Sequence, residues 1–234
     1  VTPEYLGVGY IIGPKIAHVP KSFGAVVVGS PDDDGISFSA FGYEIASVLL
    51  KDALKDEYLL SNEVANLFIQ FLWSFMTEDI KKIVHIFDAN FLQYRSKNDH
   101  YKDLVRKESW KFWFFPLLRD GHWTLWYYDV DKNALFYLDS VLKSNAPRHA
   151  KALRQCIGNL KDTKINYLTT PCYRISCTTQ VNNFDCGFFV LSHLLQYLVL
   201  LREKSNFDTK EMYIAANEIA NIRDFVKNLC RSIL

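Results

Sequence analysis

The stretch Gln-Val-Asn-Asn-Phe-Asp-Cys-Gly-Phe-Phe, from Gln180 to Phe189, holds the residue types that nucleophilic chemistry would use. A cysteine followed by glycine at the start of an apolar helix sits where backbone N–H groups point outward and favour a thiolate. Cys186 is therefore a candidate nucleophile. An isolated cysteine in a helical pattern is otherwise a packing residue, so the assignment depends on a base supplied from elsewhere in the chain. His193 lies seven residues further along the same apolar run, two turns or roughly 10 Å away along a helix, and cannot reach the thiol.

His122 is placed differently. It begins a β-prone run just after Gly121, and the next run, reached through the tight turn Asp131 to Asn133, ends in Leu138-Asp139-Ser140. In an antiparallel hairpin centred near Lys132, Asp139 falls within one or two pairing steps of His122. A histidine with a carboxylate to orient it is what a thiol nucleophile needs, although a strand-end ion pair has the same spacing. Gln180, six residues before Cys186, is far enough away for a loop to turn its amide back over the thiol. Beside the Cys186 N–H it could donate to an oxyanion, and one such donor is worth about 3 to 4 kcal/mol in the transition state. Trp123 points to the opposite face of the strand from His122, either into a core or over a substrate channel.

These residues need a scaffold, and the chain is able to build one. Its 234 residues are 49% hydrophobic and 15% aromatic, enough for a substantial core. Residues 1 to 37 are rich in glycine and proline, with a β-like run at Ala25 to Val28 and an acidic turn at Pro31 to Gly35. A helical period runs from Gly42 to Lys55 through Ile45, Val48 and Leu49. A longer helix after Ser61 or Asn62 puts Val64, Leu67, Phe68, Phe71, Leu72 and Phe75 on one face. Thr77 to His85 and Asp88 to Tyr94 read as short helices, and Ser96 to Lys107 as a polar loop. Trp110 to Leu118, His122 to Val130 and Ala134 to Asp139 form an antiparallel meander. Ala146 to Leu160 returns to a helical period, Ile165 to Thr178 is extended, and Thr209 to Leu234 is a last amphipathic helix with Ile214, Ile219, Ile222, Phe225, Val226 and Leu229 inward. With no repeat or linker, a single α+β domain over 1–234 is expected, with residues 1–58 as its N-terminal extension.

Charge and cysteine usage narrow the function classes. With 27 basic and 26 acidic residues the net charge is +1, so no global field draws the chain toward nucleic acid or an anionic membrane. The five cysteines, Cys156, Cys172, Cys177, Cys186 and Cys230, are odd in number, lack a dense framework and lack zinc-ligand spacing. A reducing intracellular compartment, no metal and no cofactor are expected. The apolar run from Cys186 to Leu201 is interrupted by Ser192, His193 and Gln196 and reads as a buried helix rather than a membrane span.

Gly-His-Trp-Thr-Leu, then Tyr-Leu-Asp-Ser, then the Cys186 stretch, preceded by Leu-Leu-Ser-Asn-Glu-Val-Ala-Asn at Leu59 to Asn66, resemble the ubiquitin-like-protein proteases. These are the sentrin/SUMO-specific and adenain-like cysteine peptidases, which include deubiquitinases secreted by intracellular bacteria. The resemblance implies a papain-like or adenain-like α+β fold with a central mixed sheet flanked by helices. It implies Cys186 as nucleophile, His122 as base, Asp139 as its orienting group and Gln180 as oxyanion donor. Cleavage after a Gly-Gly terminus of ubiquitin or a ubiquitin-like modifier follows, the protein acting as a monomer. Trp123, Leu59 and Gly187 then bind substrate in a narrow slot, and residues 1–58, which the resemblance leaves unmatched, are a substrate-specificity element. Where the family commonly has Trp-Leu-Asn-Asp-Glu-Val, this chain has Leu-Leu-Ser-Asn-Glu-Val. Leucine lines a slot but cannot cover it with an aromatic plane, which leaves the choice between SUMO and ubiquitin open. Two alternatives share the constellation: an acetyltransferase that uses acetyl-CoA, and a non-catalytic module that only binds a modifier.

Overall fold

The computed structural model describes residues 26–28, 37–92, 110–142, 146–158, 169–203 and 211–234. The acidic turn at Pro31 to Gly35 and the polar loop Ser96 to Lys107 lie outside the described residues. Strands β1 (Val26–Val28), β2 (Ser37–Ala40) and β3 (Tyr43–Ala46) form a small antiparallel sheet in that order. The helical period expected from Gly42 is thereby corrected. Phe41 at φ 56° and Gly42 at φ 75° make a tight turn that suits a hairpin, and Tyr43–Ala46 pair with β2 before helix α1 (Ser47–Asp52) begins. Leu50 is the buried residue of α1, and Val48 is 57% exposed.

Helix α2 (Asn62–Phe75) follows the sequence pattern closely. Ser61 caps it, its Oγ accepting from the Val64 N–H at 3.2 Å, and Val64, Leu67, Phe68, Phe71 and Leu72 are buried. Helix α3 (Glu78–Ile83) ends earlier than expected, because Val84, His85 and Ile86 form strand β4 (Val84–Ile86), parallel to the next strand. No helix forms over 88–92. There the Asp88 carboxylate accepts from the Asn90 N–H at 2.6 Å, and the Ala89 N–H is taken by the Asn66 side chain at 2.8 Å. Those bonds satisfy in a turn the donors that a helix would leave open.

The meander is present as β5 (Phe112–Arg119), β6 (His122–Asp129) and β7 (Ala134–Leu138). Helix α4 (Ala146–Gly158), strands β8 (Cys172–Arg174) and β9 (Ser176–Cys177), helix α5 (Cys186–Arg202), strand β10 (Glu211–Met212) and helix α6 (Ala216–Ile233) complete the described chain. The last helix starts later than expected, because Glu211–Met212 first pair in parallel with β9. Ile214 is nonetheless buried on the approach to α6.

The central sheet has the order β4-β5-β6-β7-β8, with parallel pairs at both edges and antiparallel pairs between them. Strand alternation divides its side chains between two cores. Phe114, Trp123, Leu125, Tyr127 and Leu138 share one with α5, α2 and α6. Trp113, Phe115, Trp126, Tyr128 and Leu135 share the other with Leu153 and Ile157 of α4. Helix α5 is apolar on nearly every face and is buried between the sheet and α6. The result is the expected α+β arrangement, a mixed sheet flanked by helices, with the N-terminal end of a central helix brought to the start of β6.

Candidate active site

The turn between β5 and β6 places His122. Asp120 at φ 54° and Gly121 at φ 75° occupy the left-handed region, as a two-residue hairpin loop requires. Arg119 therefore pairs with His122, the first residue of β6. On the other side, Leu125 pairs with Leu138. Asp139 leaves the sheet immediately after β7, opposite Thr124 if the register continues, two positions from His122. The distance is closed by the side chains: His122 Nε2 lies 2.8 Å from Asp139 Oδ1.

Asp139 is held on all sides. Its side chain is fully buried, and Oδ1 also accepts from the Val141 N–H at 2.8 Å. Its backbone carbonyl accepts from Arg174 Nη2 at 3.3 Å and from the Cys177 thiol at 3.2 Å. Arg174 reaches further along the same segment, donating to the carbonyls of Val141 and Leu142. With Nε2 of His122 taken by Asp139, Nδ1 is the ring nitrogen left over. Interaction with Asp139 first, and then with Cys186, raises the His122 pKa from 6.5 to about 9, against the opposing effect of burial.

Cys186 is the first residue of α5, and Asp185 is its N-cap residue. The first helical bond is Phe189 N–H to the Asp185 carbonyl at 3.0 Å, so the N–H groups of Cys186, Gly187 and Phe188 have no partner within the helix. Gly187 is required by packing. A Cβ there would lie 2.6 Å from Leu60 Cβ, 2.8 Å from Leu60 Cδ2 and 3.1 Å from Trp123 Cδ1. Trp123 is buried, and its indole N–H donates to the Leu60 carbonyl at 2.8 Å. Leu60, Trp123 and Gly187 thus form one tight contact at the start of α5, while the neighbouring Leu59 is 59% exposed.

Gln180 is hydrogen-bonded to Ser140 and Asn182. Its N–H donates to the Ser140 carbonyl at 2.9 Å, its Oε1 accepts from Ser140 Oγ at 2.6 Å, and its Nε2 donates to the Asn182 carbonyl at 2.6 Å. The amide is therefore oriented with its nitrogen toward the loop that leads into Cys186, one N–H being used on Asn182. Asn182 in turn organises the loop. Its Oδ1 accepts from the N–H groups of Phe184 and Asp185, and its Nδ2 donates to Asp185 Oδ2 at 2.6 Å. Ser140 and Asn182 lay within the motifs without an assigned role, and Arg174 had no sequence signal at all.

Residues 58–234 match the family model described as the Ulp1 protease family, C-terminal catalytic domain. The chain belongs to the Ulp1 protease family. It is a cysteine protease. Its fold is shared with the C-terminal Ulp1 protease domain solved in complex with Smt3, the yeast ortholog of SUMO, at 18% identity and a TM-score of 0.56 over 91% of this chain and 90% of that one. It is shared too with the Xanthomonas campestris effector XopD solved bound to ubiquitin, at 16% identity and a TM-score of 0.58 over 72% of this chain and 89% of that one. The catalytic domain of the Chaetomium thermophilum Ulp1-like SUMO protease matches at 14% identity and a TM-score of 0.51, over 76% and 75% of the two chains. No curated protein matches the sequence.

In this Ulp1-family protease the other described histidines are occupied differently. His193 is buried in the middle of α5, where desolvation lowers its pKa to about 3. His85 stacks on Trp110 with ring centroids 4.0 Å apart, and burial lowers its pKa to about 4. His149 faces Asp120 at 3.6 Å, with its pKa lowered chiefly by burial. His18 and His100 lie outside the described residues. None of the five cysteines is joined in a disulfide. Among the described residues no cluster of His, Cys, Asp and Glu is arranged to hold a metal ion, and no helix is long and apolar enough to cross a membrane.

Proposed function

We propose that the protein is an isopeptidase that cleaves after the C-terminal Gly-Gly of ubiquitin or a ubiquitin-like modifier. The observation that carries this reading is His122, hydrogen-bonded to the buried Asp139 and raised in pKa by both Asp139 and Cys186, which begins a central helix. The substrate class is supported by family membership and by the two relatives of the same fold solved with Smt3 and with ubiquitin.

The thiolate of Cys186 attacks the glycyl carbonyl carbon, forming a C–S bond and an oxyanion. The free N–H of Gln180 Nε2 and the Cys186 N–H donate to that oxyanion. As the intermediate collapses, the bond to the lysine nitrogen breaks and His122 gives its proton to the departing amine. His122 then takes a proton from water, which attacks the thioester and releases the modifier carboxylate and the thiolate. Asp139 keeps Nδ1 of His122 turned to the sulfur throughout. Trp123, Leu59 and Gly187 border the path of the diglycine tail. The protein works as a monomer, without cofactor or nucleic acid, and residues 1–58 add contact area for the modifier.

Probes with an electrophile in place of the last glycine, built on ubiquitin, SUMO and a Nedd8-type modifier, test this directly. Covalent capture of Cys186 by at least one is the expected result. Failure of every probe, with Cys186 still open to a small alkylating reagent, would overturn the proposal. A parallel arm with acetyl-CoA reads acetyl transfer, the outcome an acetyltransferase would give.

A further inference from the structure

Arg223 stands in the second turn of α6, 37 positions after Cys186 and outside every motif. Its guanidinium forms an ion pair with Asp185, the residue immediately before Cys186, and both side chains are largely buried, at 15% and 16% exposure. It also lies over the rings of Phe188 and Phe184, 4.4 and 5.0 Å from their centroids. Phe184 and Phe188 flank Cys186 in the chain, so one planar cation touches the loop before the nucleophile and the first helical turn after it. Arginine suits such a place because its plane can stack on aromatic faces while its N–H groups meet a carboxylate.

We infer that Arg223 is a positioning residue that acts on the nucleophile through Asp185: it neutralises the carboxylate immediately before Cys186, so that no unpaired negative charge faces the sulfur and the oxyanion. This rests on the function proposed above. Asp185 has no capping hydrogen bond to α5. Its carboxylate is held by Asn182 on one side and Arg223 on the other. Unpaired, that negative charge would stand one residue from a sulfur and an oxyanion that must both carry negative charge, and like charges in a desolvated site repel strongly. The other charged groups around the site are His122 with Asp139 on the sheet side, and Asp56, Asp224 and Lys227 around Arg223, with Lys227 paired to Asp56 at 2.9 Å.

The test compares Arg223→Met, Asp185→Asn/Arg223→Met and Arg223→Lys by two readouts. One is the rate at which iodoacetamide alkylates Cys186 at pH 7. The other is turnover of whichever modifier amide the probe panel selects. Arg223→Met should slow alkylation and lower kcat by about tenfold with KM nearly unchanged, the size of one pKa unit of charge repulsion. The double variant, with no charge left unpaired, and Arg223→Lys, which keeps the charge, should both return to within about threefold of wild type. Wild-type rates in Arg223→Met, or a double variant as impaired as the single one, would overturn the inference, since Arg223 would then only tie α6 to α5. If Arg223→Met does not fold, a loss of about tenfold in both remaining variants is equally decisive against it. Alkylation needs no modifier, so the absence of any cleavage would count against the proposed function while leaving the Arg223 pair to be judged by itself.

Discussion

The two halves of the proposed active site are held by different means. The side of the proposed base, His122 with Asp139, is set by backbone register: a two-residue turn, a strand and a hairpin whose ends are 17 positions apart. The side of the proposed nucleophile, from Gln180 to Gly187, contains no regular structure before α5 and is held by side chains from remote parts of the chain. Ser140 orients Gln180, Leu60 and Trp123 press on Gly187, and Arg223 pairs with Asp185. A hairpin converts spacing in sequence directly into spacing in space. A loop does so only through its tertiary contacts.

Mutations on the two sides should fail in different ways. Cys186→Ala has the largest effect, abolishing turnover while the fold and the capacity to bind the modifier remain; residual cleavage above background would remove the nucleophile from this side altogether. Asp139→Asn comes next, lowering kcat on the order of 10²- to 10⁴-fold with little change in substrate binding, as single-turnover and steady-state rates would show. It also carries a pH signature. His122 must hold a proton to release the amine, so wild-type activity should fall on the alkaline side near pH 9, where the folded-state imidazolium loses it. Removal of the Asp139 carboxylate takes away the largest cause of that raised pKa, so the alkaline limb should move to lower pH. The sign for stability agrees: a pKa raised from 6.5 to about 9 stabilises the fold fully below about 6.5, and that contribution is lost as pH rises through 9. An unmoved alkaline limb in Asp139→Asn would show that His122 does not set it.

Gly187→Ala probes the packed side and should act through stability. The added methyl meets Leu60 at its Cβ, close to the backbone, so about 1 to 3 kcal/mol of strain is expected, read as a fall in unfolding temperature together with reduced kcat. Unchanged stability would mean that Leu60 and Trp123 yield easily and do not fix the helix start. Leu59→Trp is the mildest change. Leu59 is exposed and makes room for an aromatic plane, so folding should be unaffected while the preference among modifier probes shifts. An unaltered panel would take Leu59 out of the recognition surface.

Much of this molecule could be read before its structure. The meander, α2 with its Ser61 cap and the buried α5 follow from alternation, helical period and one capping side chain, all of them local signals. Local reading failed over 88–92, where side chains took up the backbone donors in a turn, and at two places where a partner strand had overruled it. Tyr43–Ala46 and Val84–Ile86 carry helix-compatible sequence, yet each completes a sheet whose other strand is distant or lies beyond a turn. The Cys186, His122, Asp139 and Gln180 positions were visible as types at fixed spacings. Ser140 and Asn182 were visible as residues but not as parts of the machinery, because a hydroxyl or an amide acquires a direction only from what surrounds it.

The sequence by itself determined which groups are present, that the hairpin would bring a histidine within reach of a carboxylate, and that Cys186 would begin a helix. Only the tertiary structure decided that Asp139 is fully buried against Val141, Arg174 and Cys177, that Gln180 faces the loop before Cys186, and that Arg223 closes that loop from α6. The reason is range. Periodicity and register act over a few residues and are written into the order of the chain, whereas charge pairing, desolvation and close packing at Gly187 depend on segments as far apart as Leu60 and Arg223, which meet only when the core has formed.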